Sequence, residues 1–136
     1  MVKMGGRKIC LWRWKDGRIM KGNIVRNEER FVMRYNSVLD LHTHTVASGH
    51  AYCSLREMAK AASEKGLEVL GITEHAPSMP GTCHKFYFNN LKVVPREMYG
   101  IQLLLGSEVN ILDAQGTLDL GQHTLSSMDV VIASLH

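Results

Sequence analysis

The chain has 136 residues, 45% hydrophobic and 21% charged, the composition of one soluble domain or of part of a larger one. No stretch approaches the roughly 18 apolar residues of a membrane helix, and the basic N-terminus lacks the apolar core of a secretory signal. The net charge of +3 averages two unlike segments: residues 1–34 hold 10 Lys/Arg against 3 Asp/Glu, and the remainder hold 6 against 10.

That change of sign divides the chain into a basic N-terminal extension, 1–34, and a domain, 35–136. In the extension, KICLWRWK and RIMKGNIV flank Asp16-Gly17, which reads as a β-hairpin with a type I′ turn. Trp12 and Trp14 interleave with Arg13 and Lys15, a pattern compatible with a nucleic-acid surface. The simpler reading is a small basic appendage, or upstream sequence translated from an early start, with Met33 as an alternative. A lone hairpin is marginally stable.

From Tyr35 the pattern alternates between strand and helix. Ser37–Leu41 reads as a first strand. Ser54 and Glu57 form a capping box ahead of Leu55, Met58, Ala59 and Ala62, one apolar helix face, and Gly66 is placed to end that helix. Leu67–Thr73 is a short apolar strand of the kind buried in parallel sheets. A loop rich in Pro, Gly and aromatic residues covers 76–90, and a helix is predicted over 90–99 although Pro95 interrupts it. Ile101–Val109 is a third strand, 113–116 a turn, and Asp129–Ser134 a fourth strand. Repeated β/α units imply a parallel sheet or barrel.

The chemistry concentrates at the strand ends. All seven histidines follow Asp40, and histidine is a common metal ligand. The first strand ends Asp40-Leu41-His42-Thr43-His44, where residues two apart share a face. The second ends Thr73-Glu74-His75, the third Ser107-Glu108, the fourth Leu135-His136. In barrel-like α/β folds the C-terminal strand ends form the active face, and buried polar groups there are costly unless bound or hydrated. His50 lies just before the capped helix. His84, in the long loop, is a candidate substrate contact, and His123 reads as solvated. Cys10, Cys53 and Cys83 are odd in number and form no CxxC, which suits reduced thiols in a cytoplasmic protein; Cys53 is read as packing onto Met58.

DLHTHT, GHAY, TEHAP, GSEVNI and the terminal SLH together resemble the PHP (polymerase and histidinol phosphatase) superfamily, and HKFYFNNLKVVPREMYGI is similar to its stand-alone phosphatase branch. The resemblance covers about residues 35–136. It implies the N-terminal portion of a distorted seven-stranded TIM-like barrel and a trinuclear zinc site, with Mn²⁺ or Fe²⁺ also suited to such ligands. By the same resemblance, His42 and His44 bind one metal, Glu108 bridges it to a second that His136 also ligates, and His50 with His75 binds a third. The activity implied is phosphomonoester hydrolysis of a small phosphorylated substrate by a metal-activated hydroxide, with no membrane partner. The family's later His-Pro and Asp-x-His ligands have no counterpart here. The resemblance therefore implies a partial site, an inactive metal-binding fragment as the alternative, and self-association through exposed strand edges. A nucleic-acid-associated role is disfavoured by the acidic balance after residue 34.

Overall fold

The computed structural model describes residues 36–136 in full and, before them, the backbone of the strand residues 3–4, 7–8, 18–27 and 30–35. Two short strands, β1 (Lys3–Met4) and β2 (Arg7–Lys8), pair antiparallel. Strand β3 (Arg18–Asn27) pairs antiparallel with β4 (Arg30–Asp40), with a register irregularity at Ile19/Met20. β4 thus begins before the expected Ser37 and runs without a break through the change in charge. The predicted pairing of KICLWRWK with RIMKGNIV falls partly on residues 9–17, outside the described residues.

After β4 come α1 (Leu55–Glu64), β5 (Val69–His75), α2 (Lys85–Asn90), β6 (Glu97–Met98), β7 (Ile101–Asn110), α3 (Gln122–Leu125) and β8 (Val130–Ser134). β4, β5, β7 and β8 pair parallel, each with the next in chain order. Sequential parallel neighbours with helices in the crossovers are the arrangement of a β/α barrel wall, not of a doubly wound sheet, whose order reverses. The expected α/β class and the barrel-like portion are therefore present.

Strand alternation assigns the two faces. Leu70 and Ile72 on β5 lie level with Leu103 and Leu105 on β7, and these, with Val109, pack with Ala59 and Ala62 of α1, Phe88, Leu91 and Leu120 in one buried cluster. The opposite face carries Gly71, Thr73 and His75 beside Leu104, Gly106 and Glu108. Apart from Leu104, the residues on that face are small until the strand ends, where the ligand-type side chains emerge. At Gly106 a Cβ would lie 1.8 Å from the Val130 carbonyl oxygen, so only glycine lets β8 approach β7 closely enough to pair there.

The capping box of α1 forms as expected: Ser54 accepts from Glu57 N while the Glu57 carboxylate accepts from Ser54 N. Gly66 follows with φ 78°. The helix predicted over 90–99 is displaced. α2 lies earlier, at Lys85–Asn90, capped by His84, and a 3₁₀ turn, Leu91–Val93, follows it. Val94 is extended, as a residue before proline prefers. Glu97–Met98 and Ile101–Gln102 then form a tight hairpin about Tyr99 and Gly100, both of positive φ.

Candidate metal centre

Parallel register delivers the site. His75 is the direct partner of Glu108 across β5 and β7, and Ser134 that of Asn110 across β7 and β8. The chain leaving β4 supplies His42 and His44, then turns through a 3₁₀ helix at Val46–Ser48 that Thr45 caps. Gly49 ends this turn at φ 76°, and a Cβ there would meet the Gly81 carbonyl oxygen at 2.2 Å. Both its conformation and its crowding call for glycine, and His50 follows immediately.

Of the six residues expected as ligands, His42, His44, His75 and His136 come together around Glu108, and His50 joins His44 and His75. One carboxylate oxygen, Oε2, lies 3.0 Å from His42 Nε2, 3.4 Å from His44 Nε2 and 3.0 Å from His75 Nδ1, and Oε1 lies 3.6 Å from His136 Nε2. Their ligand atoms fall into three groups, His42/His44/Glu108, His75/Glu108/His136 and His44/His50/His75, each within 4.8 Å. Glu108, His44 and His75 each belong to two of the groups. None of the groups includes His84 or His123. The His84 ring instead accepts from Phe86 N as the α2 cap, and both residues are exposed. Cys53, expected to pack onto Met58, is an exposed free thiol.

Burial keeps two of these imidazoles, His44 and His75, in the form that binds metal. Burial foremost, with His75 beside it, lowers the His44 pKa to about 4. Burial likewise lowers His75, against the opposing pull of Glu108. Burial works to raise Glu108, but donation from Ser134 Oγ at 2.5 Å and the adjacent His42 leave it below the ordinary carboxylate range. At neutral pH His44 and His75 are neutral and Glu108 is ionised, a set of nitrogen and oxygen donors.

Metal ions fit these donors on two counts. Ligands about 2.0–2.1 Å from a tetrahedral ion sit roughly 3.3 Å from one another, and the 3.0–3.6 Å separations around Glu108 bracket that value. His75 Nδ1 is buried and lacks a hydrogen-bond partner, although Glu108 is close by. A buried polar atom in that condition is costly, and a bound cation would remove the cost.

A supporting shell escaped the sequence reading. Ser48 Oγ contacts His44 Nδ1 at 3.2 Å, accepts from His75 N at 3.0 Å and donates to Glu74. The Ser48 carbonyl contacts His50 Nδ1 at 3.0 Å. Asn110 Oδ1 contacts His136 Nδ1 at 2.7 Å. Metal-bound histidines commonly use their second nitrogen in this way. The available signal was positional: Thr45 and Ser48 interrupt the histidine motif, and Asn110 lies two residues from Glu108 on the same strand face.

Fold and site together define a class: an α/β barrel-type sheet whose strand C-termini gather histidines and glutamate able to hold metal ions. The PHP domain model matches residues 40–136, and the chain belongs to that family. It is 59% identical over 104 residues to a probable phosphatase of Clostridium novyi, covering 76% of this chain and 42% of that protein. Probable phosphatases of Thermoanaerobacter sp. and Acetivibrio thermocellus are 52% and 48% identical over 99 residues, covering 73% of this chain and 40% and 41% of theirs. The chain therefore spans about two-fifths of the length of the curated relatives it matches. Among the described residues, no helix is long and apolar enough to cross a membrane.

Proposed function

We propose that this PHP domain takes part in metal-dependent hydrolysis of phosphomonoesters, with zinc as the resident ion and a small phosphorylated molecule as substrate. The observation that carries this reading is the convergence of His42, His44, His75 and His136 on the two carboxylate oxygens of Glu108. The phosphatase names of the relatives support the reaction type. Divalent ions held by His42, His44, Glu108, His75, His136 and His50 would supply activation of water and neutralisation of phosphate charge.

The residues of the chain prepare the site for that chemistry. Each ligand group offers at most three protein donors, and because His44 and His75 each fall in two groups yet can serve one ion apiece, room is left for water and substrate. His44 and His75, held neutral by burial, would bind without first losing a proton, and Glu108 belongs to two of the groups. Imidazole and carboxylate donors also accept Mn²⁺ or Fe²⁺, and the free thiols Cys53 and Cys83 are consistent with a cytoplasmic setting.

The test combines metal analysis with turnover of p-nitrophenyl phosphate. Wild-type chain reconstituted with zinc is expected to retain at least two equivalents after gel filtration and to release p-nitrophenol. Glu108→Ala is expected to lose more than one equivalent and to fall at least 100-fold in rate. Less than one equivalent in the wild type overturns the multinuclear site. Full metal retention without turnover assigns this chain metal binding alone, the fragment reading.

A further inference from the structure

Glu74 is a charged residue with no exposed surface, on the face of β5 opposite His75 and away from Glu108. Its carboxylate accepts from Thr45 N at 3.2 and 3.1 Å, from Thr45 Oγ1, from Ser48 Oγ at 2.5 Å and from Tyr87 OH at 3.4 Å. Burial pushes the Tyr87 hydroxyl well above its ordinary value, which keeps it a donor. Every neighbour of Glu74 in this set donates.

That arrangement constrains Ser48. A serine hydroxyl has one proton to donate and two lone pairs with which to accept. With Thr45 N, Thr45 Oγ1 and Tyr87 OH also donating to it, the Glu74 carboxylate offers only acceptor oxygens to this cluster, so the Ser48 proton is committed to Glu74. One lone pair takes the His75 backbone N–H at 3.0 Å. The remaining contact, His44 Nδ1 at 3.2 Å, must then have its proton on the imidazole. A neutral imidazole carries one proton, so Nε2, 3.4 Å from Glu108 Oε2, is left bare.

We infer that Glu74, acting through Ser48, selects the Nδ1–H tautomer of His44 and aims its Nε2 lone pair at the metal centre. Glu74 is on this account a positioning residue that touches neither metal nor substrate. The inference rests on the metal reading for its purpose, but the tautomer itself is a property of the metal-free chain. A purely architectural Glu74, anchoring the 45–48 turn, would leave the tautomer indifferent to the sign of its hydrogen bonds.

The experiment reads the tautomer directly. Uniformly ¹⁵N-labelled full chain, stripped of metal with chelator at pH 8, is examined by long-range ¹H–¹⁵N correlation spectroscopy. Wild-type His44 is expected as Nδ1–H. In Glu74→Gln the amide can donate to Ser48 Oγ, freeing the hydroxyl proton for His44 Nδ1, and His44 is expected to shift toward Nε2–H. Ser48→Thr keeps the hydroxyl and is expected to keep Nδ1–H. Ser48→Ala, the alternative should Glu74→Gln fail to fold, is expected to lose the Nδ1–H preference of His44. Zinc affinity is expected to fall about 10- to 100-fold in Glu74→Gln and Ser48→Ala, with recovery in Ser48→Thr. A wild-type Nε2–H tautomer, or an unchanged Nδ1–H tautomer in both Glu74→Gln and Ser48→Ala, overturns the inference. Failure of the wild type to bind zinc while the tautomer pattern holds overturns the metal reading instead.

Discussion

Asn110 shows how one amide can orient a ligand. Asp119 accepts from the Asn110 side-chain nitrogen at 2.6 Å, from Asn110 N at 2.9 Å and from Ser78 N at 2.9 Å. A carboxylate accepts only, so the amide nitrogen must face Asp119 and the amide oxygen must face His136. The proton of a neutral His136 then sits on Nδ1, leaving Nε2 to face Glu108. Asn110→Ala is expected to weaken zinc at the His75/Glu108/His136 group about 10- to 100-fold, measured by competition with a chromophoric chelator; unchanged affinity would remove Asn110 from this role. The clustering of candidate ligands was legible in the sequence because His and Glu at four successive strand ends are poor core residues. Ser48, Asn110 and Asp119 were not, because they are common polar residues. Their contacts to Glu74, His136 and Ser78 span 26 to 41 positions, and only the assembled sheet brings those partners together.

At the level of elements, local signals succeeded where they were complete. The capping box and apolar face of α1 lie within a dozen residues and folded as read; Ser54→Ala is expected to cost about 1 kcal/mol, seen as a lower Tm by circular dichroism, and an unchanged Tm would contradict the cap. The helix placed at 90–99 failed because a histidine supplied the cap at 84 and Pro95 forced extended backbone behind it. Strand β4 was read short because its first residues pair with β3 in a basic segment that differs in charge from the domain. Gly106→Ala carries the opposite kind of prediction. The added methyl meets the Val130 carbonyl, so β8 must move and His136 with it. The variant is expected to fold less stably and to lose zinc from the His136 group while His42 and His44 continue to bind, as followed by histidine NMR shifts during zinc titration. Retention of His136 binding would contradict the close approach.

At the scale of the molecule, the parallel, barrel-like sheet was legible from the alternation of apolar runs and helices, because each crossover carries a helix and each parallel strand pairs with the next. The convergence of side chains at one end follows from that order. It also makes stability depend on pH. Burial lowers His44 from the ordinary histidine value of 6.5 to about 4 in the folded chain, and His75 is shifted in the same direction. Below about 6.5 the unfolded chain takes up protons that the folded chain refuses, so stability falls as pH drops from 6.5 toward 4. Glu108, also lowered, contributes stability above its unfolded value near 4.5, and this is lost as pH falls further. Metal-free chain is expected to show a Tm that declines steadily from pH 7 to 4.5; a flat profile would contradict the buried, neutral imidazoles.

The most direct test of the polynuclear centre is anomalous diffraction at the zinc absorption edge from crystals grown with zinc. The account predicts at least two anomalous peaks flanking the Glu108 carboxylate, with zinc–nitrogen distances of about 2.0–2.1 Å to His42 and His44 at one and to His136 at the other. Zinc found only at surface sites, with no peak beside Glu108, would contradict it.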